Sequence, residues 1–210
     1  MMLETWLLAF TTFFATISPI DVAALFAALT PKASDARRRA MAVKGTLIAA
    51  AILIVFALVG DELLRRLGIS LAAMRTAGGI LLFLIALDMV FAHSSGGSST
   101  TEDEEEEAGH KEDISVFPLA TPLIAGPGTM GAVILLSAEA EGNWRHEMAV
   151  IAAIIAVILL TFILLLAAGR IQKLLGVTGL NVITRVIGML LAALAVQFVF
   201  DGIASSGLLG

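Results

Sequence analysis

The stretch "PLATPLIAGPGTMGAV", residues 118–133, is apolar enough to lie in a lipid bilayer, yet it carries three prolines and three glycines. Proline removes a backbone donor and clashes with the carbonyl one turn back, and glycine loosens whatever helix remains. In hydrocarbon an unsatisfied backbone group costs several kcal/mol. Helix breakers at that depth are tolerated where the freed groups face protein or line a cavity. The stretch therefore predicts an interrupted membrane helix.

The rest of the chain fits that environment. Of 210 residues, 59% are hydrophobic and 15% charged, with a mean hydropathy of +0.97. A soluble domain has about 45–50% apolar and about 25% charged residues. Six apolar segments, near 3–29, 41–60, 71–92, 114–138, 148–168 and 181–204, each approach the ~20 residues that span a bilayer. The expected fold class is an all-α membrane protein of six transmembrane helices. The opening "MMLETWLLAF" has no basic residue before its apolar run, so it reads as a retained first span and not as a signal peptide. There is no cysteine, and hence no thiol chemistry. The net charge of −5 comes mostly from one acidic run, so no nucleic-acid surface is expected.

With six spans, both termini share one side, and loops one, three and five share the other. That other side collects Lys32, Arg37, Arg38, Arg39, Lys44, Lys111, Arg170, Lys173 and Arg185, against Arg65, Arg66, Arg75 and Arg145. The bias predicts loops one, three and five in the cytoplasm and both termini in the periplasm. Loop three, residues 93–113, is Ser/Gly-rich and then acidic ("TEDEEEE"), and too polar to offset its ordering entropy. It is expected to be a solvated, disordered cytoplasmic linker. His93 and His110 flank the acidic run and raise metal binding as the sharper alternative.

That loop divides two halves, 1–92 and 114–210, that resemble each other. "GGILLFLIALDMVF" (78–91) lies over "IGMLLAALAVQFVF" (187–200) at an offset of 109, with Gly79/Gly188, Leu81/Leu190, Leu82/Leu191, Ala86/Ala195 and Phe91/Phe200 identical. "RRAMAV" (38–43) matches "RHEMAV" (145–150), "LGIS" (67–70) matches "LGVT" (175–178), and "SPID" (18–21) falls on "GPGT" (126–129). Each half has three spans, an odd number, so the copies must cross the membrane in opposite directions. Inverted three-helix repeats recur in secondary transporters, where interrupted helices from the two halves meet at the midplane around the substrate.

"PLATPLIAGPGTM" resembles the signature of the MarC family, bacterial inner-membrane proteins that include neutral amino-acid transporters. The six-span layout, "TISPIDVAALFAALTP" and the polar central loop are similar as well, so the resemblance covers nearly the whole chain. The first-half motif departs from the family pattern, having Ser18 before Pro19 and then Ile20 and Asp21. The resemblance implies that helices one and four are discontinuous and enclose a small neutral amino acid such as glycine or alanine, exported or taken up without ATP.

The candidate substrate residues are Ser18, Pro19, Ile20 and Asp21 in one break and Gly126, Pro127, Gly128 and Thr129 in the other. A half-helix resuming near Thr129 offers free N–H groups at its positive end, which suits a carboxylate. Glycines let the backbone approach a ligand, or merely allow a kink and close packing. Asp21 lies within the apolar core, where a carboxylate usually marks a pathway, a coupling ion or a ligand. It could instead cap the resumed helix. Asp88 and Gln197 occupy one repeat position, and they are candidates for coupling or for a helix contact across the pseudo-twofold axis. Trp6 and Trp144 near span ends suit interfacial anchoring. Pro118 and Pro122 suit the first turn or a kink of the fourth helix.

A secondary carrier in the bacterial inner membrane is the leading reading, and no enzymatic role, metal or cofactor is expected. The rivals are a channel, since interrupted helices also build selectivity filters, and a membrane-embedded enzyme using Asp21. No "GxGD" or "HExxH" pattern supports the latter. The chain has no nucleotide-binding loop, so energy would come from a proton, sodium or substrate gradient. Assembly into an oligomer is compatible with this reading.

Overall fold

The structure, a computed structural model, describes residues 2–30, 33–91, 113–140 and 142–207, without the side chains of 61, 171–178 and 180. All regular structure among these residues is helical: α1 (Met2–Ile17), α2 (Pro19–Leu29), α3 (Asp35–Leu67), α4 (Leu71–Phe91), α5 (Ser115–Ile124), α6 (Pro127–Ala140) and α7 (Trp144–Ser205). Five stretches are long and apolar enough to cross a membrane: Met2–Leu29, Asp35–Gly60, Leu71–Phe91, Trp144–Arg170 and Asn181–Ser205. A sixth arises if α5 and α6, bent by 55° at their junction, count as one broken span. The acidic run and both of its flanking histidines lie outside the described residues.

Two of the expected loops are helical instead. "GDELLRRLGIS" continues α3 to Leu67, where Gly68 closes the helix at φ 68°, its N–H reaching the Arg65 and Leu64 carbonyls. "GRIQKLLGVTGLN" has helical backbone too, although the chain reverses across it between the spans Trp144–Arg170 and Asn181–Ser205. Falling hydropathy marks where a segment leaves lipid, whereas Leu, Arg and Lys go on favouring helix in water. At the start of α3, the Ser34 side chain accepts from the Arg37 N–H at 3.3 Å, and at α7 Asn143 caps the Arg145 N–H at 3.2 Å.

Side-chain contacts fix the relative courses. α5 and α6 run alongside α3 in the same direction: Gly45 abuts Leu119 and Ser115, and Gly60 abuts Ile134. α4 runs against α6, with Gly128 facing Ile85, Gly78 facing Leu135 and Arg75 meeting Glu139. The first limb of α7, Trp144–Arg170, runs against α3: residues 38 and 39 share a cleft with 165–170, and residues 43–50 share a groove with 155–162. The second limb, Asn181–Ser205, runs against α4, since Gly79 meets Ala195 and Val199, Gly188 meets Ala86 and Met89, and Gly202 meets Thr76. α3 and α4 are opposed through α6, so the two limbs of α7 are opposed too.

Glycines set the closest of these contacts. A Cβ at Gly79 would lie 2.7 Å from the Ala195 carbonyl oxygen, and one at Gly188 would lie 2.8 Å from the Met89 Cβ. Between helices in lipid, such close approach supplies the dispersion that holds a bundle together, because apolar burial gains little there. Phe13, Phe26, Leu119, Leu135, Ile154 and Leu191 fill the centre, whereas Leu47, Leu58 and Leu190 point outward as lipid-facing side chains should.

Candidate functional site

The first break is a single residue. Ser18 adopts left-handed values (φ 47°, ψ 65°), and Pro19 follows as the first residue of α2, where its missing N–H costs nothing. The Ser18 N–H still donates to Phe14 O (3.0 Å) and its carbonyl accepts from Val22 (3.1 Å), so Met2–Leu29 continues as one span across the break. The second break is wider. In α5 the backbone leaves helical values at Phe117 (φ −128°, ψ 127°) and Thr121 (φ −133°, ψ 129°), the residues that precede Pro118 and Pro122. A following proline disfavours helical geometry in just this way. Both prolines thus lie within a wound segment and do not open a regular helix. The chain turns at Ala125 and Gly126, and Pro127 is the first residue of α6.

The residues paired in the sequence therefore occupy the same structural roles. Ser18 and Gly126 precede the new helices, Pro19 and Pro127 begin them, and Asp21 and Thr129 are third within them. Asp21 is thus not a cap, which corrects one sequence expectation. Both breaks also touch one turn of α4. The Ser18 Oγ lies 3.9 Å from the Met89 Sδ, and the Gly128 Cα faces the Ile85 side chain. Ile85 and Met89 are four residues apart, about 6 Å along the helix. Meanwhile α1 packs on α6 and α2 on α5, so the two broken rods cross where they are interrupted.

Gly126 and Gly128 do not line open space in this conformation. The Pro122 carbonyl lies 2.5 Å from where a Gly126 Cβ would be, and Ile85 fills that place at Gly128. The first-turn N–H groups of Ile20, Asp21, Gly128 and Thr129 have no backbone acceptor among the described residues, because the carbonyls one turn back lie beyond the breaks.

Thr129 is the residue whose environment stands apart. Among the described residues seven polar ones are buried: Thr12, Thr16, Thr30, Thr46, Ser115, Thr129 and Thr161. Thr12, Thr16, Thr30, Thr46 and Thr161 donate to the carbonyl four residues back, at 2.6–3.0 Å, and Ser115 donates to Asp113 at 2.5 Å. Thr129, 2% exposed, has no partner among the described residues. The residue four back is Ala125, which the break takes out of helical geometry (φ −96°, ψ 64°). The interruption that creates a new helix end also orphans this hydroxyl.

Asp21 is half-buried and accepts a hydrogen bond from the Thr184 hydroxyl, 2.5 Å away on the second limb of α7. Sequence reasoning missed Thr184, and a lone threonine in an apolar segment carries no signal that could have revealed it. The pairing of Asp88 with Gln197 does not occur. Gln197 donates to Asp201, one turn on, at 2.7 Å. The register explains it: contacts between α4 and the last limb join residues whose numbers add to about 276, such as Gly188 with Ala86 and Met89. Asp88 and Gln197 sit nine positions out of that register, about 13 Å apart along the helices.

Further polar contacts hold the ends of the bundle. Arg75 of α4 and Glu139 of α6 form a 2.7 Å ion pair, each 22% exposed. Arg38 donates through Nε and Nη2 to the Thr30 carbonyl, at 3.0 and 2.5 Å, closing the end of α2. Lys44 pairs with Asp113 at 2.7 Å. The Lys44 ammonium, joined by the Ser115 hydroxyl and N–H, holds the Asp113 carboxyl well below the usual carboxylate range. Trp6 stacks on Phe10 at 5.0 Å, and Trp144 is 68% exposed beneath the Arg145 guanidinium.

Residues 3–206 match the family described as MarC family integral membrane protein. Relatives occur in archaea and bacteria. The UPF0056 membrane protein MJ1677 of Methanocaldococcus jannaschii is 38% identical over 201 residues, covering 96% of this chain and 97% of that one. The UPF0056 membrane protein YvbG of Bacillus subtilis is 39% identical over 194 residues, covering 92% of both chains. The UPF0056 inner membrane protein YhgN of Escherichia coli K12 is 33% identical over 190 residues, covering 89% of this chain and 90% of that one. No solved structure matches. With nearly its whole length matched to the family and to relatives of similar size, this chain is an integral membrane protein of the MarC family.

Proposed function

We propose that the protein is a secondary transporter of small neutral amino acids, glycine or alanine, built from six spans in two inverted repeats. The carrying observation is Thr129. A buried hydroxyl without an acceptor among the described residues, on the first turn of a half-helix that begins inside the bundle, is the group a bound carboxylate would satisfy. The free N–H groups of Gly128 and Thr129 join it at the positive end of α6. Asp21, to which the Thr184 and Ser18 hydroxyls both hydrogen-bond, receives the substrate ammonium or carries a coupling proton. In this conformation Ile85 fills the place beside Gly128 and the Pro122 carbonyl that beside Gly126, so a space opened there by the transport motion would be short and would favour glycine or alanine over leucine.

The inverted repeat draws support from a reciprocal contact. Gly79 meets Ala195 and Val199, while Gly188 meets Ala86 and Val90. Adding 109 to Gly79 gives Gly188, and subtracting it from Ala195 and Val199 gives Ala86 and Val90. Each contact therefore maps onto the other when the halves are exchanged, as a twofold axis requires. Rocking of one repeat against the other about a fixed site is the motion such a fold permits. The name of the E. coli relative supports an inner-membrane location, and the basic asymmetry supports periplasmic termini.

Purified protein in liposomes, given labelled glycine, alanine or leucine with and without a proton or sodium gradient, tests the proposal. Saturable uptake of glycine or alanine that leucine does not inhibit is expected. Unitary currents, or no flux in oriented and folded protein, would refute it.

A further inference from the structure

A charged cleft and an apolar groove lie outside the crossing of the broken helices, along the seam between α3 and the first limb of α7. At one end is a cleft of about 670 Å³ lined by Arg38, Arg39 and Arg170, with Asp35 the acidic residue on its rim. Three guanidinium groups against one carboxylate leave an excess of positive charge. The Nε and Nη2 of Arg38 are committed to the Thr30 carbonyl. Its Nη1 lies 3.7 Å from where a Gly169 Cβ would be, so the remaining edge points across the cleft to α7. Arg39 and Arg170 are exposed and have no partner among the described residues.

The cleft opens onto apolar surface. Arg39, Val43 and Leu47 recur every fourth residue on one face of α3 and line a shallow depression that leads away from the arginines. Val43 and Leu47 then join Ala50 in forming one wall of an apolar groove of about 320 Å³, whose other wall includes Ile155, Leu159 and Phe162. From Arg39 to Ala50 is eleven residues, about 16 Å along the helix, comparable to an acyl chain. A cationic cleft at the end of a span, continuous with a groove that faces lipid, matches one ligand in both charge and shape.

We infer that this seam binds one anionic phospholipid. Its phosphodiester sits among Arg39, Arg170 and the free edge of Arg38, and an acyl chain lies along Val43, Leu47 and Ala50. The glycine at 169 keeps the floor of the headgroup cleft low enough for the phosphate to reach Arg38. The same lipid bridges α3 to α7, two helices from different halves of the chain, so it also ties the halves together at the end where the first loop joins α2 to α3.

The test uses full-length protein, delipidated in a neutral detergent, with phosphatidylglycerol and phosphatidylcholine of identical chains as probes. Bound lipid is counted by native mass spectrometry. The parent should retain phosphatidylglycerol at least tenfold better than phosphatidylcholine, and added salt should erode that preference. Arg39→Gln with Arg170→Gln should lower phosphatidylglycerol retention about thirtyfold, leaving phosphatidylcholine unchanged, and the paired lysine variants should restore most of it. Ala50→Phe, which fills the groove, should weaken both lipids. Equal retention of the two lipids by the parent, or an undiminished preference in the glutamine variant, would overturn the inference. Displacement of the lipid by millimolar inorganic phosphate would overturn it too, since it would mark a free-anion site.

Discussion

Thr129→Val separates a ligand-binding hydroxyl from a structural one. A buried hydroxyl left without an acceptor costs about 1–3 kcal/mol. Valine removes that hydroxyl at nearly constant volume, so the variant should be as stable as the parent or more stable, by up to about 1–2 kcal/mol. Thr161→Val is the internal control. Thr161 is equally buried but donates to the Val157 carbonyl at 2.7 Å, and losing that bond should cost about 1 kcal/mol. Thermal melting in detergent gives the comparison: the midpoint should fall for Thr161→Val and hold or rise for Thr129→Val. Millimolar glycine should raise the midpoint of the parent by linkage, leave Thr129→Val unmoved, and still protect Thr161→Val. Glycine flux in liposomes should fall at least tenfold for Thr129→Val alone. A drop in stability like that of the control would mean the Thr129 hydroxyl has a structural acceptor, and parental flux would mean it never meets the substrate. Either result refutes the reasoning.

Asp21→Asn should cut flux or shift its pH dependence with little effect on folding, because the amide can still accept from Thr184; parental flux at every pH would remove Asp21 from the transport path. Gly128→Ala should destabilise by about 1–3 kcal/mol through overpacking, and Ile85→Val, which deletes the opposing Cδ1, should recover most of that; absence of rescue in a melting assay would show that the contact does not set the cost. Gly79→Leu and Gly188→Leu should impair folding to a similar degree, since their contacts are reciprocal, and one tolerated variant would argue against the twofold relation. The carboxyl of Asp113 is depressed, so its pairing with Lys44 contributes above the ordinary carboxylate pKa and is lost as pH falls towards the lower folded value. The melting difference between parent and Asp113→Asn should therefore narrow on acidification below about pH 4, and a constant difference would refute the pairing. That difference should stay below about 1 kcal/mol, as both partners are half exposed.

Much of the fold was legible because hydropathy and breakers report on the solvent directly. Apolar blocks located the spans, and Pro19 and Pro127 located the starts of two half-helices, since proline can begin a helix but not continue one. Helix ends were less legible. Hydropathy falls where the chain leaves lipid, at Gly60 and Arg170, but nothing at "DELLRRL" breaks a helix, and α3 stays wound to Leu67. The repeat offset of 109, read from letters alone, coincides with the reciprocity of Gly79 and Gly188. Such a match is expected where close packing needs the same small residue on both sides of an axis.

The site was legible by position and not by partner. Matching "SPID" to "GPGT" puts Asp21 and Thr129 third in their helices, which is where the structure has them. What each side chain meets depends on register, and register is a property of pairs of helices. Asp88 and Gln197 show the difference: repeat equivalence made them mates, yet a twofold axis brings a residue to its own mate only at the axis itself. With contacts joining numbers that add to about 276 and a repeat of 109, the proposed twofold relation would put its axis near Phe83 and Ala192, not Asp88. The same reasoning explains why Thr129 is more informative than Asp21. The carboxylate of Asp21 found Thr184, a partner from an unrelated position, and is partly satisfied within the protein. The Thr129 hydroxyl lost its ordinary acceptor to the break itself, and a break that evolution needed only for a kink could have carried valine there.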